Sequence, residues 1–187
     1  MKLPLKDAWI TSPYNVVRTI NGKTRTHKGI DMISSSGSKL VSAVKEGIYR
    51  GKFYDANGFG TYVSMQHSDG VRTIYAHLSA VTLDDSLKGQ KIAEGTVIGI
   101  EGSSGASTGV HLHIEARKSP YLSTNRINIA EYLGIQNEKG ATRETAKGKA
   151  MRIIQEKTGF NDSTMKYLND YKYSKDLFIK LEKAMED

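Results

Sequence analysis

Thr61-Tyr62-Val63-Ser64-Met65-Gln66-His67, then Ser68-Asp69-Gly70, then Val71-Arg72-Thr73-Ile74-Tyr75-Ala76-His77 is the stretch on which the fold turns. The first run alternates with period two, as a strand with one buried face must, and the last is rich in β-branched and aromatic residues. The Asp-Gly pair between them supplies a tight turn, so the whole reads as an antiparallel hairpin. Outward toward the amino end, residues 40–53 read as one long or bent strand, with Gly47 and Gly51 marking a bulge or a close backbone approach. Toward the carboxyl end, Lys88-Gly89-Gln90 turns the chain before Ile92, and Gly95 precedes the strand Thr96-Val97-Ile98-Gly99-Ile100. A Gly/Ser-rich loop over residues 101–109 leads into a last strand, Val110-His111-Leu112-His113-Ile114-Glu115-Ala116. A parallel sheet would need crossover helices, and no helical pattern interrupts these strands. The expected fold is mostly β, a curled antiparallel sheet.

The composition changes near Gln136. Of 18 glycines, 15 precede residue 138, as do all three prolines, and the remainder is rich in Lys, Glu, Met and Leu. This divides the chain into a β domain, 1–137, and a C-terminal α-helical appendage, 138–187. In the appendage Gly159 is placed as a helix stop and Asp162, Ser163 and Ser174 as helix starts. Leu177, Phe178, Leu181, Ala184 and Met185 fall on one helical face, Ala146, Ala150, Ile153 and Ile154 on another, and Met165 with Leu168 on a short third.

Apolar residues at 38% and charged residues at 25% in a chain of 187 exclude a disordered polymer. Two large domains are excluded as well. With no cysteine there is no disulfide and no thiolate chemistry, so any metal must sit on His, Asp or Glu. Residues 1–7 hold no apolar run of 7–15, so no signal peptide is expected, and no run approaches a membrane span. A protein acting outside the cell would need another route or would be a piece of something longer. The net charge of +7 suits an anionic polymer. Nucleic acid is not expected as the partner, because the basic residues are spread along the chain with no helix-turn-helix, finger or stacking module.

All five histidines, His27, His67, His77, His111 and His113, lie in the β part. His111 and His113, two apart in a strand, share one face and reach one small volume. In His27-Lys28-Gly29-Ile30-Asp31 an imidazole and a carboxylate stand four apart, and Gly29 favours a tight turn running into a strand over a helix. A catalytic zinc site takes three protein ligands and leaves a position for water. His27, Asp31 and one of His111 or His113 would make such a set, leaving two histidines to act on substrate. His67, in the hairpin turn, reads as structural. Glu115 shares the face of His111 and His113, where it would either orient a ligand histidine or pair with Arg117 or Arg72.

Five segments together carry a family resemblance: Thr26-His27-Lys28-Gly29-Ile30-Asp31, Tyr75-Ala76-His77-Leu78-Ser79, Lys88-Gly89-Gln90-Lys91-Ile92, Gly95-Thr96-Val97-Ile98-Gly99, and Ser107-Thr108-Gly109-Val110-His111-Leu112-His113-Ile114-Glu115. Their order and spacing resemble lysostaphin-type zinc metalloendopeptidases, which cut peptidoglycan cross-links, over most of residues 10–118. The resemblance implies that His27, Asp31 and His113 hold Zn2+ while His111 and His77 face its open position, in a groove of a curled antiparallel sheet. One departure stands out: where the family usually has a glycine shortly before an arginine, Ser12-Pro13-Tyr14-Asn15-Val16-Val17-Arg18 offers Asn15 and Val16. The tail, residues 150–185, is similar to the ends of prophage tail-associated proteins of Gram-positive bacteria that carry a wall hydrolase.

Zinc on such a set brings the pKa of water from 15.7 toward ~7 and polarises the scissile carbonyl. No H-E-x-x-H arrangement supplies a glutamate base, so proton handling falls to His111 and His77. The expected partners are peptidoglycan peptide stems and anionic wall polymers, with no membrane partner, in an extracellular or virion-tail setting. The expected bond is D-Ala to diaminopimelate, with a glycine bridge as the alternative. Two rivals from other classes are an idle wall-binding module of the same fold and a biotin- or lipoyl-carrier-like domain, suggested by Glu94-Gly95-Thr96-Val97-Ile98-Gly99, which would need an exposed hairpin lysine.

Overall fold

The computed structural model describes residues 1–20, 22–142, 154–155, 157–161, 163–164, 168 and 180. The chain divides into two compact units, Met1–Arg143 and Glu144–Asp187. In the first unit the strands run in chain order as β1 (Ala8–Ser12), β2 (Val17–Ile20), β3 (Lys23–Thr26), β4 (Ile30–Ser34), β5 (Leu40–Ser42), β6 (Gly47–Asp55), β7 (Gly60–Gln66) and β8 (Val71–Leu78). There follow β9 (Ala80–Val81), β10 (Lys91–Ile92), β11 (Val97–Ile100), β12 (Leu112–Lys118), β13 (Arg126–Ile127) and a short helix α1 (Ile129–Leu133).

The main sheet has the order β1-β4-β12-β8-β7-β6-β10, with β13 paired to β12, and every pairing is antiparallel. Smaller sheets are β5-β11-β9 and the hairpin β2-β3. The fold is thus the mostly β, antiparallel one that the hairpin at residues 61–77 implied. The stretch 40–53 is two strands rather than one: the chain leaves the sheet after Ser42 and re-enters at Gly47, so β5 joins β11 while β6 joins β7 and β10. Gly51 does mark a bulge, where the register shifts between Tyr49 and Gly51 at φ 120°.

Alternation decides what each face carries. Ile30 and Met32 on β4, Leu112 and Ile114 on β12, Tyr75 on β8, Val63 and Met65 on β7, and Tyr49 on β6 are sealed from solvent and form the core. The Tyr75 hydroxyl stays satisfied there: it accepts from the Val44 amide (3.0 Å) and lies 3.2 Å from the Thr73 hydroxyl. The opposite face of β12 presents His113, Glu115 and Arg117.

In the second unit, Ile154, Ser163, Leu168 and Lys180 are helical. Gly159 takes φ 69° and its N–H donates to the Gln155 carbonyl at 2.9 Å, a left-handed helix stop. The apolar positions expected at Ala146, Ala150, Ile153, Met165, Leu177, Phe178, Leu181, Ala184 and Met185, and the helix starts at Asp162 and Ser174, lie outside the described residues. Among the described residues no helix is long and apolar enough to cross a membrane.

Candidate metal centre

Asp31 on β4 stands opposite His113 on β12, because these strands pair with His113 in register with Asp31. His27 enters from the turn between β3 and β4, so two segments more than 80 residues apart in sequence meet at one point. Gly29 permits the approach: a Cβ there would lie 2.2 Å from the Ile114 carbonyl and 2.9 Å from the His113 ring. The His27 Nε2, Asp31 Oδ1 and His113 Nδ1 atoms form a triangle with sides of 3.1 Å (His27–Asp31), 3.1 Å (His27–His113) and 2.8 Å (His113–Asp31). All three residues are buried.

The partners of the outward nitrogens fix the protons. His27 Nδ1 lies 2.7 Å from the Pro13 carbonyl, which can only accept, so Nδ1 carries the hydrogen and Nε2 turns a lone pair inward. His113 Nε2 faces Glu115 Oε1 at 3.5 Å, which places its hydrogen there and leaves Nδ1 as the inward acceptor. The second carboxylate oxygen of Asp31 accepts from Arg18 Nη1 at 2.6 Å, leaving Oδ1 for the triangle. Three electron-rich atoms therefore crowd one point, and only a cation relieves them.

The titration of these groups says the same. Burial drives the His27 pKa down despite Asp31, keeping the imidazole neutral. Burial opposes the Asp31 charge too, yet the His113 and His27 imidazoles beside it hold the carboxyl well below its usual range. His113 is raised: burial works against its charge, but Asp31 and then Glu115 prevail. Metal–donor bonds of about 2.0–2.2 Å at tetrahedral angles put donor atoms roughly 3.3 Å apart, and the triangle departs from that by no more than about half an ångström. The two-imidazole, one-carboxylate set fits a divalent ion. Glu115 is itself anchored, accepting from Arg117 Nε (3.0 Å) and Nη2 (2.7 Å) and from Arg126 Nε (2.9 Å). Burial opposes its ionisation, but His113 and Arg117 bring its pKa down to about 2.

His111 and His77 complete the ring of imidazoles. His111 lies just outside β12, in a bridge to Gly102, rather than within the strand, so it owes its position to the loop at residues 101–109. Its Nδ1 donates to the Gly109 carbonyl (2.8 Å), and its Nε2 stands 3.6 Å from Asp31 Oδ1. His77 sits near the end of β8 at φ 62°, a left-handed conformation that costs a non-glycine residue about 1–2 kcal/mol. Its backbone N–H is held by the Phe59 carbonyl (2.8 Å) and its Nδ1–H by the Ser104 carbonyl (2.8 Å). Burial lowers its pKa to about 4, with Ser104 opposing and His113 and His111 adding to the effect. The His77 ring lies 4.9 Å from that of His111 and 5.7 Å from that of His113. A cleft of about 230 Å3 opens over these rings, walled by Phe59, Thr108 and Lys28 among others.

In the sequence Arg18 stands only as part of a motif, and its grip on Asp31 has no signal beyond that. Asn15, where a glycine was expected, takes φ 64°, one of the few conformations that Asn shares with Gly. Its N–H donates to the His27 carbonyl at 2.9 Å, so the turn survives the substitution. His67 lies away from the centre.

Residues 25–129 match the model of peptidase family M23, more than half of the chain. The chain belongs to this family. DD-carboxypeptidase/endopeptidase Mpg of Neisseria meningitidis is 38% identical over 117 residues, 61% of this chain and 25% of that protein. Peptidoglycan DD-endopeptidase ShyC of Vibrio cholerae is 28% identical over 117 residues, 62% of this chain and 26% of that protein. The chain thus spans about a quarter of the length of these relatives. The catalytic domain of lysostaphin from Staphylococcus simulans superposes with a TM-score of 0.55 at 26% identity, covering 67% of this chain and 90% of that one. An M23 metallopeptidase requires a metal ion, and His27, Asp31 and His113 are the group able to hold it among the described residues.

Proposed function

We propose that residues 1–137 are a zinc-dependent endopeptidase that cuts peptide cross-links of bacterial peptidoglycan, at the bond from D-Ala to diaminopimelate. The observation that carries this reading is the triangle of inward lone pairs on His27, Asp31 and His113, flanked by two further imidazoles that both present Nε2. Relatives named DD-endopeptidases support the bond, and the N/O donor set supports zinc. When bound, the ion supplies a Lewis acid that polarises the scissile carbonyl and acidifies water.

The rest falls to side chains. With Nδ1–H committed to Gly109, His111 offers Nε2 as a base at the mouth of the site and takes the proton of the attacking water. It then returns that proton to the departing amine. His77, neutral at pH 7 and donating through Nδ1 to Ser104, also shows a lone pair. It suits holding an N–H of the leaving amine better than donating to the oxyanion. Arg18 and Glu115 keep Asp31 and His113 aimed. An idle wall-binding module would not need both His77 and His111 beside a complete ligand set.

The wider setting is a wall-facing one outside the cell. The tail's resemblance to prophage proteins supports local wall opening by a phage tail, and the +5 net charge of residues 1–137 suits anionic wall polymers. The test is digestion of purified walls, one type directly cross-linked and one glycine-bridged, with the fragments identified by mass. Release of D-Ala-terminated stems from the first supports the reading. Cleavage confined to glycine bridges would replace the proposed bond, and inertness toward both walls with zinc bound would remove the peptidase reading.

A further inference from the structure

The face that carries the metal donors continues past them. Along β12, His113, Glu115 and Arg117 point the same way, and the register carries that side to Ile74 and Arg72 on β8 and to Ser64 and Gln66 on β7. Glu115 had two candidate arginine partners in the sequence, Arg117 and Arg72. It is taken by Arg117 and by Arg126. Arg72 is left over: among the described residues neither it nor Arg50 lies within ion-pairing distance of a carboxylate.

Arg72 is nevertheless held in one pose. Its Nη2 donates to Gln66 Oε1 (3.1 Å), its guanidinium lies 4.0 Å from the Tyr121 ring centre, and Gln66 Nε2 donates to the Tyr121 hydroxyl (2.9 Å). Its Nε is sealed from solvent without a partner. Burial, then repulsion from Arg50 and, with Tyr121 opposing, from Arg117, weakens its hold on the proton. On the far side of Gln66 a cavity of about 410 Å3 opens, lined by Ile48, Arg50, Gln66 and Lys91 among others; the acid on that wall, Glu46, is paired with Lys91 at 2.7 Å. The terminal nitrogens of a guanidinium fixed in one pose without a counter-charge are suited to a carboxylate.

We infer that Arg72, assisted by Arg50, binds a carboxylate of the peptide substrate roughly 13 Å from the metal centre, four residues of strand at ~3.3 Å each. The substrate class is then an acidic, extended peptide whose free carboxylate lies three to four residues from the scissile bond. This rests on the peptidase reading above and narrows it.

Two synthetic cross-linked peptides test it, identical except that one has a free carboxylate at that position and the other a carboxamide. The zinc-loaded full chain should cleave the acid with a KM about tenfold below that of the amide, at equal kcat. Arg72→Gln should raise KM for the acid about tenfold, leave the amide unchanged and keep both kcat and zinc content. Arg50→Gln, on an exposed side chain, should do the same to a smaller extent. Equal KM for both peptides in the native protein, or an equal loss on both in Arg72→Gln, overturns the subsite while leaving the peptidase reading intact. Binding of the uncleaved peptides to His111→Ala is measured in parallel. Tighter binding of the acid that depends on Arg72, without cleavage by the native protein, would uphold the subsite and overturn the peptidase reading.

Discussion

His27 and His67 are equally buried, each with 3% of its surface exposed, and both sit where a strand meets a turn. Their nitrogens tell them apart. His67 spends both: Nδ1 lies 2.9 Å from the Glu46 carbonyl and Nε2 2.8 Å from the Thr73 hydroxyl. His27 spends only Nδ1 on the protein frame, and His113 only Nε2, while the remaining nitrogens converge with an Asp31 oxygen. A buried imidazole satisfied at both ends is a strut, because desolvating it leaves nothing to compensate. One satisfied at a single end, facing other acceptors, stays unpaired until a cation arrives.

That contrast breaks most visibly at the ligands. Asp31→Ala and His113→Ala should each bring zinc content, read by metal analysis, near zero and hydrolysis of walls to background. Wild-type turnover by a metal-free His113→Ala protein would refute the ligand set. Next in size are His111→Ala and His77→Ala, which should retain zinc yet lose about 10²–10⁴ in turnover, the range for a positioned acid or base. Zinc loss in either would move that residue from proton transfer into the ligand set. Glu115→Gln keeps the size of the side chain but removes the charge that orients His113. It should weaken zinc about 10–100-fold in a chelator competition, and unchanged affinity would make Glu115 merely a partner for Arg117 and Arg126.

Much of this was legible before any fold was known, because period-two patterning and Gly-bearing turns are local. The strands at residues 61–77 and the five quoted segments needed no tertiary knowledge. The rest failed where geometry is non-local. Residues 40–53 look continuous because Val41, Ala43 and Val44 are all apolar, yet they are buried on both sides of a chain that changes sheets. His111 looks like a strand residue because its neighbours alternate, whereas a bridge to Gly102 outside the strand positions it. Spacing alone does not separate His113 from His111, since both reach the same volume; the register of β12 on β4 sets His113 directly opposite Asp31. Arg18 stands in a motif that does not reveal its partner and the Pro13 carbonyl carries no signature, as an arginine reaching a carboxylate 13 positions away and a carbonyl orienting an imidazole are both products of folding.

The smallest expected effect tests the strut. His67→Ala strands the Glu46 carbonyl and takes one of the Thr73 hydroxyl's two partners, at about 1–3 kcal/mol of stability, with zinc content and turnover unchanged once folded. Its pH dependence has a definite sign. Burial pushes the His67 pKa below its ordinary value despite the Glu46 carbonyl and Asp69, so on acidification the unfolded chain takes up a proton near pH 6.5 before the folded one does. Stability from this group is therefore complete above pH 6.5 and declines as the pH falls through the window down to the folded pKa. The metal centre also holds ionisable imidazoles, so the informative quantity is a difference: Tm against pH for the native protein and His67→Ala, both zinc-loaded, from pH 7.5 to 5. The native curve should fall more steeply, since only it must protonate a buried imidazole on unfolding, and parallel curves would mean that His67 titrates alike in both states. A change in zinc content in His67→Ala would show that the two histidine regions are coupled, and the distinction drawn from their nitrogens would fail.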